Sequence, residues 1–319
     1  MSQSPPARLF KADLHCHTRH SGHAKHLRFL RCRDCYSTPL DVYKTAKRRG
    51  MDLVTITDHD SIGGCQELLD RLGDLPDFIM GEEASVFFPQ FQHEVHVAIY
   101  GLNEAHHREI QRLRPNGEEL VAYLRQHELL FVLNHFFHDF ADGARVCEFI
   151  LRMALLFDVF EVRNGSQLRE HNLFIVKLLE HYGESFGTGR PIGRVGGSDA
   201  HTLRRIGRTY TASPARSKQE FLDDIRAGRS EVFGPHSDHM SLAADIYGVV
   251  LRHFPAVFSG ANGNFPPAVR AKAAVLTLMT TPFLFTPYFV AIRHSRIERE
   301  RINLFSQLAL GSQPLRFRP

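Results

Sequence analysis

Short apolar runs alternate with helix-like stretches from Ala12 to about Gly234, and no other feature of the sequence constrains the fold as strongly. The runs are short and rich in β-branched and aromatic residues, which favours strands over buried helices. The predicted strands are Leu53–Thr57, Phe78–Met80, Val95–Tyr100, Phe131–Leu133, Val159–Val162 and Ile192–Val195. Repeated β-then-α units predict parallel strands with helices outside, and a barrel of this kind carries its chemistry at the carboxyl ends of the strands.

Helix signals fill the spaces between these runs. Thr38 is a capping residue, Pro39 suits a first helical turn and Gly50 follows as a stop, so we predict a helix over Pro39–Arg49. Further helices are predicted over Glu118–Glu128, Val146–Leu156, Leu168–His181 and Lys218–Ala227.

The pattern changes after about His236 to apolar, helix-like sequence that ends in a polar helix, Ser295–Leu310. We therefore predict two regions, a barrel over residues 10–235 and a helical C-terminal region over residues 236–319. Residues 273–292 contain no charge and are just long enough to span a bilayer, but Pro282 and Pro287 weaken that interpretation. A packing helix is favoured, and membrane insertion or surface contact through residues 273–292 is the alternative.

Composition sets the class of protein. The formal net charge of +4 is too small to indicate nucleic-acid binding, whereas 20 histidines in 319 residues favour a metal-binding or catalytic protein. Five scattered cysteines and the absence of an apolar leader at the N-terminus favour a cytoplasmic location with reduced thiols. Cys32 and Cys35 form a lone CxxC, for which packing is favoured over a zinc or redox role.

Histidines and carboxylates follow the predicted strands. His15 and His17 alternate on an extended segment, so their rings share one face. The other groups are His20, His23 and His26; Asp58, His59 and Asp60; Glu82 and Glu83; His93 and His96; His135; and Asp199 with His201. Because strand ends converge in a barrel, these nitrogen and oxygen donors predict a cation site, and the mixture suits Zn, Mn or Fe.

Five motifs in order, "DLHCHT", "TDHD", "GEE", "LNHF" and "GSDAH", resemble those of the polymerase and histidinol phosphatase (PHP) superfamily over about residues 10–234. The resemblance implies a distorted (βα)7-type barrel with two or three divalent metal ions (Zn, Mn or Fe) at the strand ends. Two departures are a long loop between His23 and Pro39 and "NHF" in place of the usual "AHP".

The resemblance also implies a ligand set. His15, His17, Glu83 and Asp199 would hold a first metal, and Glu83 would bridge to a second one completed by His135 and His96. His59 and His201 would hold a third, with one ligand from the loop after the first strand, for which His23 has the expected spacing. The glycine-x-glutamate register favours Glu83 over Glu82, and the catalytic positions are Glu83, Asp199 and His201.

Other charged residues near these motifs have two interpretations each. Asp58 and Asp60 would orient a metal-bound imidazole, or they cap a strand end or helix. Arg163, Arg194 and Arg205 would bind substrate phosphate oxygens, as would Arg204, or they are solvated surface charges.

The predicted activity is hydrolysis of a phosphate ester, in a small phosphorylated metabolite or a nucleotide, by a metal-activated hydroxide. One alternative is an exonuclease of the same superfamily acting on oligonucleotide ends. Others are an amidohydrolase-like metal hydrolase, which also opens with HxH on a barrel strand, and a non-catalytic membrane-associated module.

Overall fold

The computed structural model describes residues 8–24, 31–183, 191–258, 267–280 and 285–311. The strands are β1 (Phe10–Asp13), β2 (Leu53–Ile56), β3 (Phe78–Phe88), β4 (His93–Tyr100), β5 (Leu130–Leu133), β6 (Val159–Asn164), β7 (Gly193–Gly197), β8 (Tyr210–Ser213) and β9 (Glu231–Phe233). The helices are α1 (Pro39–Arg48), α2 (Gly63–Leu72), α3 (Glu104–Leu113), α4 (Gly117–Gln126), α5 (Val146–Leu156), α6 (Arg169–Tyr182), α7 (Lys218–Arg226), α8 (His239–Phe258), α9 (Pro267–Thr280) and α10 (Thr286–Leu310).

The strands form one sheet in the order β7-β6-β5-β4-β3-β2-β1-β8-β9. β1, β2 and β3 run parallel, as do β5, β6 and β7. The two ends of the sheet approach each other where Thr211 of β8 meets Gly196 of β7. The Thr211 hydroxyl accepts from the Gly196 amide at 2.8 Å and donates to the Gly196 carbonyl at 2.9 Å. The result is a nearly closed α/β barrel, which confirms the predicted fold class.

The prediction of parallel strands is wrong at β4. β3 and β4 form a long antiparallel hairpin, in register from Gly81 opposite Tyr100 to Phe88 opposite His93. The short turn at Pro89–Phe91 joins them, whereas a parallel connection needs about a dozen residues or more. β3 also continues to Phe88, well beyond the predicted strand Phe78–Met80.

A capping residue predicted α1 but not every helix, since α3 was not predicted although the Asn103 side chain accepts from the His106 amide at 2.9 Å. The Thr38 side chain accepts a hydrogen bond from the Asp41 amide at 3.2 Å, and Pro39 occupies the first turn of α1, as predicted. α2 was not predicted; it begins after Ile62, which offers no side-chain cap.

Helices dominate the C-terminal region, as predicted. α10 packs on the barrel, with Ile302 and Phe305 buried in the main hydrophobic core. The ring of Phe305 lies 5.7 Å from that of Phe137 and 5.8 Å from that of Phe140, between ring centroids. The division into a barrel at 10–235 and a separate region at 236–319 stays a prediction.

The charge-free stretch 273–292 covers most of α9 and the beginning of α10, and its residues 281–284 lie outside the described ranges. Ala273 and Thr277 are buried, whereas Val275 and Leu278 are exposed. Within the described ranges, no helix combines the length and the apolar character needed to cross a membrane.

Candidate metal centre

One end of the barrel collects polar side chains from strand after strand. Of the nine predicted metal ligands, the structure brings eight together: His15, His17, His59, Glu83, His96, His135, Asp199 and His201. They come from segments that follow β1, β2, β5 and β7 and from within β3 and β4. The strand ends therefore converge as the alternating pattern predicts.

Glu83 lies at the middle of this group and is fully buried. Its Oε1 atom is 3.1 Å from His15 Nε2 and 3.2 Å from His135 Nε2. Its Oε2 atom is 3.1 Å from His59 Nδ1 and 3.4 Å from His17 Nε2. A carboxylate with imidazoles on both sides can bridge two cations, as carboxylates do in two-metal sites.

Strand alternation separates Glu83 from its neighbour Glu82. Glu82 points to the opposite face of β3, where its Oε2 atom lies 2.6 Å from His107 Nδ1 of α3. The structure thus directs Glu83, the residue that the motif register favours, into the site.

The Asp199 carboxylate lies close to both histidines of the first motif, His15 and His17. Its Oδ1 atom is 3.3 Å from His17 Nε2 and 3.6 Å from His15 Nε2. Asp199 has a φ of 49°, a left-handed conformation that is strained for a residue with a side chain. Gly197, two residues earlier, allows the close approach, because a Cβ there would lie 2.3 Å from the Cβ of His15.

Asp34 is a site residue that the sequence reasoning did not identify. Its Oδ2 atom lies 2.7 Å from His201 Nε2 and 3.5 Å from His59 Nε2. It belongs to the long loop after β1, and the signal that points to it is an aspartate between two cysteines, Cys32 and Cys35, which are both buried. The Cys35 thiol donates to the His17 carbonyl at 3.3 Å, and the aspartate between the two cysteines faces the histidines.

His23, the predicted ligand from this loop, is not among the gathered residues. Its side chain is exposed, and its backbone pairs with Arg33 in an isolated antiparallel bridge. Residues directly opposite each other in such a pair share a face, and the next residue, Asp34, points to the other one. The bridge therefore turns Asp34, not His23, towards His59 and His201.

A buried carboxylate, Glu161 of β6, holds two of the imidazole segments. Its Oε1 atom is 2.9 Å from His15 Nδ1, and its Oε2 atom accepts from the His135 amide at 3.0 Å. The bond to Nδ1 leaves His15 Nε2 directed at Glu83. Histidine ligands in metal sites commonly have such a carboxylate partner on their other nitrogen.

Asp58 acts on His17 through a serine. Its Oδ1 atom accepts from Ser21 Oγ at 2.7 Å, and Ser21 Oγ lies 2.9 Å from His17 Nδ1. Asp58 also accepts from the amide and hydroxyl of Thr18, both at 2.6 Å. Asp60 instead accepts from the Ser85 amide at 2.7 Å and pairs with Arg114 at 3.2 Å.

The four arginines predicted to bind substrate are not gathered around Glu83, and one of them, Arg204, pairs with Asp245 at 2.8 Å. Arg163 donates to the Gly234 carbonyl at 2.9 Å, and Arg194 is exposed on β7. Arg205 is buried and donates to Gly165, Ser237 and Asp245. Substrate binding by these residues stays a prediction.

Electrostatics in the group reflect its burial. Burial alone would raise the pKa of Glu83, but the charge of His15 and the hydrogen bond from His135 outweigh it and hold the pKa well below its usual range. Burial lowers the pKa of His59 well below 6.5 despite nearby carboxylates. For His201, burial opposes protonation, but Asp34 prevails and raises the pKa to about 10.

The donor set fits metal ions. Four buried atoms that face this centre, His15 Nε2, His17 Nε2, Glu83 Oε2 and His96 Nδ1, have no hydrogen-bond partner among the described residues. Buried polar atoms without partners are costly unless something satisfies them. Potential ligand atoms in four overlapping triplets lie within 4.8 Å of one another: His17, His59 and His201; His15, His17 and Asp199; His15, Glu83 and His135; His59, Glu83 and His96.

Sequence comparison finds two partial matches. Residues 184–230 match the family described as PHP-associated. An uncharacterized protein of Methanocaldococcus jannaschii is 44% identical over 54 residues, which are 17% of this chain and 31% of that protein. The chain therefore aligns with about a third of the length of this relative.

Structure comparison finds similar solved structures at low sequence identity. PsfC of Pseudomonas syringae has a TM-score of 0.50 at 16% identity, over 77% of this chain and 98% of that one. A two-domain protein of Bacteroides vulgatus containing a predicted PHP-like metal-dependent phosphoesterase has a TM-score of 0.47 at 16% identity, over 77% and 72%. An amidohydrolase of Chromobacterium violaceum, with bound sulfate and no metal, has a TM-score of 0.45 at 18% identity, over 71% and 98%.

Proposed function

We propose that the chain is a metal-dependent phosphoesterase of the PHP superfamily, which its five motifs and the PHP-associated match over residues 184–230 support. The observation that carries the proposal is the buried cluster around Glu83, in which four imidazole and carboxylate atoms have no hydrogen-bond partner among the described residues. The proposed substrate is a phosphate ester of a small metabolite or a nucleotide.

The residues would hold two or three divalent cations, with Zn, Mn or Fe favoured by the mixed nitrogen and oxygen donors. His15, His17 and Asp199 would form one set of ligands. His135 and His96, at 3.2 Å and 3.5 Å from Glu83 Oε1, would form a second set with Glu83. His59, His201 and Asp34 form a third. When bound, the cations would neutralise phosphate charge and lower the pKa of water towards about 7.

The chain itself supplies orientation. Glu161 fixes the ring of His15 through Nδ1, and Ser21, held by Asp58, fixes the ring of His17 in the same way. Both rings are then directed at Glu83 through Nε2 before any ligand arrives. Pre-set ligands of this kind reduce the rearrangement needed on binding.

Exposure indicates the side from which substrate enters. The side chains of His15 and His17 are at most 1% exposed, whereas those of His59, His201 and Asp34 are 21–25% exposed. The phosphate ester would therefore approach over Asp34, His59 and His201, with its leaving group towards solvent. Neutral imidazoles add no negative charge, which leaves the bound cations free to attract an anion.

The test measures metal content by elemental analysis beside hydrolysis of an aryl phosphate monoester and an aryl phosphate diester. The proposal expects two or three Zn, Mn or Fe per chain and hydrolysis of at least one ester. His17→Ala should lose metal and reduce hydrolysis by at least about 100-fold, the cost typical of a lost catalytic group. The preferred ester separates a monoesterase from an exonuclease-like diesterase.

His106→Ala is the matched control, because His106 pairs with Tyr123 away from the cluster, with its Nδ1 atom 2.9 Å from the hydroxyl. It should keep both metal and hydrolysis. Metal-free protein after reconstitution, or hydrolysis of an amide with neither phosphate ester cleaved, would contradict the proposal.

A further inference from the structure

α9 and the beginning of α10 expose large apolar side chains. The exposed fractions are 58% for Val275 and Leu278, 67% for Met279, 76% for Phe285, 64% for Phe289, 49% for Val290 and 39% for Ile292. We call these residues the apolar surface. A group of this size on a folded protein marks an interaction site more often than chance exposure.

The apolar surface lies on two successive helices, α9 and the beginning of α10, which both pack against α8. On α9, Ala273 and Thr277 are buried and Ala274 and Leu276 are partly buried, whereas Val275, Leu278 and Met279 are exposed. Between Phe285 and His294, Ala291 is the residue classed as buried. Thr280 and Phe285 are five residues apart, so their Cα atoms lie within about 19 Å of each other.

The charge around the apolar surface has one sign. Residues 246–297 contain no aspartate or glutamate and five basic residues, Arg252, Arg270, Lys272, Arg293 and Arg296. Arg296 pairs with Glu300 at 3.0 Å. Arg270, Lys272 and Arg293 are exposed and form no ion pair within the described part of the chain.

We propose that this surface binds the face of a bilayer that contains anionic lipids. Exposed Phe, Leu, Met and Val side chains would enter the boundary between headgroups and acyl chains, and the flanking Arg and Lys side chains would contact lipid phosphates. Apolar insertion with basic flanks is the pattern of proteins that lie in a membrane interface. The proposal does not depend on the activity of the barrel.

The charge pattern disfavours a second copy of the chain as the occupant. A two-fold interface apposes the same patch from each copy, so the basic residues Arg270, Lys272 and Arg293 would meet the same basic patch of the other copy. Residues 246–297 supply no carboxylate to pair with them, and like charges facing each other oppose association.

The experiment is co-sedimentation of the full chain with vesicles of phosphatidylglycerol and phosphatidylcholine, compared with vesicles of phosphatidylcholine alone. We expect binding to the anionic vesicles that weakens at high salt. Two triple variants should each lower the partition coefficient at least about tenfold, because each removes one component of binding. The apolar variant is Leu278→Glu/Met279→Glu/Phe289→Glu, and the basic variant is Arg270→Glu/Lys272→Glu/Arg293→Glu.

The matched control is Leu151→Glu/Leu155→Glu, which changes two leucines of α5 that are each 51% exposed, and it should bind as the wild type does. Circular dichroism melts establish that each variant is folded. Absence of binding to anionic vesicles, or equal binding by the apolar variant, overturns the proposal. A concentration-dependent dimer that the apolar variant abolishes also overturns it, because the second copy would then be the occupant.

Discussion

Asp34 and His23 lie on the same loop, but only Asp34 faces the imidazoles of His59 and His201. The difference comes from the backbone, since the His23–Arg33 bridge and the bond from the Asp34 amide to the Gly22 carbonyl, at 3.1 Å, set which side of the loop faces inward. A spacing rule counts residues along the chain and does not register this pairing.

We expect Asp34→Ala to lower bound metal by about one ion per chain, because His59 and His201 lose the carboxylate between them. His23→Ala should leave metal content unchanged. Elemental analysis after reconstitution with zinc measures both variants. The reverse result, in which His23→Ala loses metal and Asp34→Ala retains it, would restore the ligand that the spacing favours.

At the scale of elements, α8 and α9 hold the loop that carries Asp34. Tyr36, two residues after Asp34, has its hydroxyl 2.9 Å from His253 Nδ1 of α8. His253 Nε2 in turn lies 3.0 Å from Thr277 Oγ1 of α9. These buried contacts connect the C-terminal helices to the loop of Asp34, which with His59 and His201 forms the most exposed part of the metal centre.

His253→Ala should position the Asp34 loop less firmly without removing a proposed ligand. We expect zinc affinity at the weakest site to fall about 10- to 100-fold, the range seen when a group that orients a ligand is lost. Titration against a competing chelator measures it, with Arg252→Ala, which changes an exposed neighbour, as the control. Equal chelator titrations for the two variants would mean that α8 does not position the loop.

A second buried contact fixes α10 to α6. The His171 Nδ1 atom lies 3.1 Å from Glu298 Oε1, and Arg301 also donates to Glu298. Burial by itself raises the pKa of Glu298, but the bond to His171 and the charges of His171 and Arg301 outweigh it and lower the pKa from 4.5 to about 2. The ionised form of Glu298 thus stabilises the folded state.

A depressed carboxyl pKa gives stability that is complete above the unfolded value of 4.5 and is lost as the pH falls towards 2. At about 1.4 kcal/mol per pH unit, the contribution is about 3 kcal/mol. Between pH 5.5 and 2, the free energy of unfolding in urea should therefore fall by about 3 kcal/mol more for the wild type than for Glu298→Gln. Glu300→Gln changes an exposed pair with Arg296, and its free energy of unfolding should depend on pH as that of the wild type does. The same pH dependence in all three proteins would refute the stabilising role of ionised Glu298.

For the whole molecule, the sequence predicted the barrel because most of its strands have a local signature, although β8 and β9 were not predicted. The six predicted strands all form, and the runs that end in histidine or aspartate converge as expected. The β3–β4 hairpin was not foreseen, because β4 is as apolar as a parallel strand and only the short turn at Pro89–Phe91 reveals its direction. Strand direction depends on connection length, which the apolar pattern does not contain.

The candidate site was predictable to the extent that its residues occur in motifs next to strands. Glu161 was missed because it lies inside β6, where an acidic residue in an apolar run gives no indication of its partner. Its contact with His15 joins residues 146 positions apart, so only the closed sheet brings them together. Asp34 was missed for a similar reason, since it needs the folded loop to reach His201.

The C-terminal helices complete the barrel core, and this gives a prediction about the whole chain. Ile302 and Phe305 of α10 are buried with residues of α5 and α6, such as Phe149 and Phe174. Burial of each such side chain contributes about 1.5–3 kcal/mol, against a total stability of about 5–15 kcal/mol for a typical domain.

A chain that ends at residue 235 should therefore aggregate or unfold without a cooperative transition in urea. Phe305→Ala in the full chain should lose about 3–5 kcal/mol, whereas Ile297→Ala, at a position 51% exposed, should lose less than about 1 kcal/mol. If residues 1–235 alone unfold cooperatively with full metal content, the barrel is an independent domain and α10 only covers it.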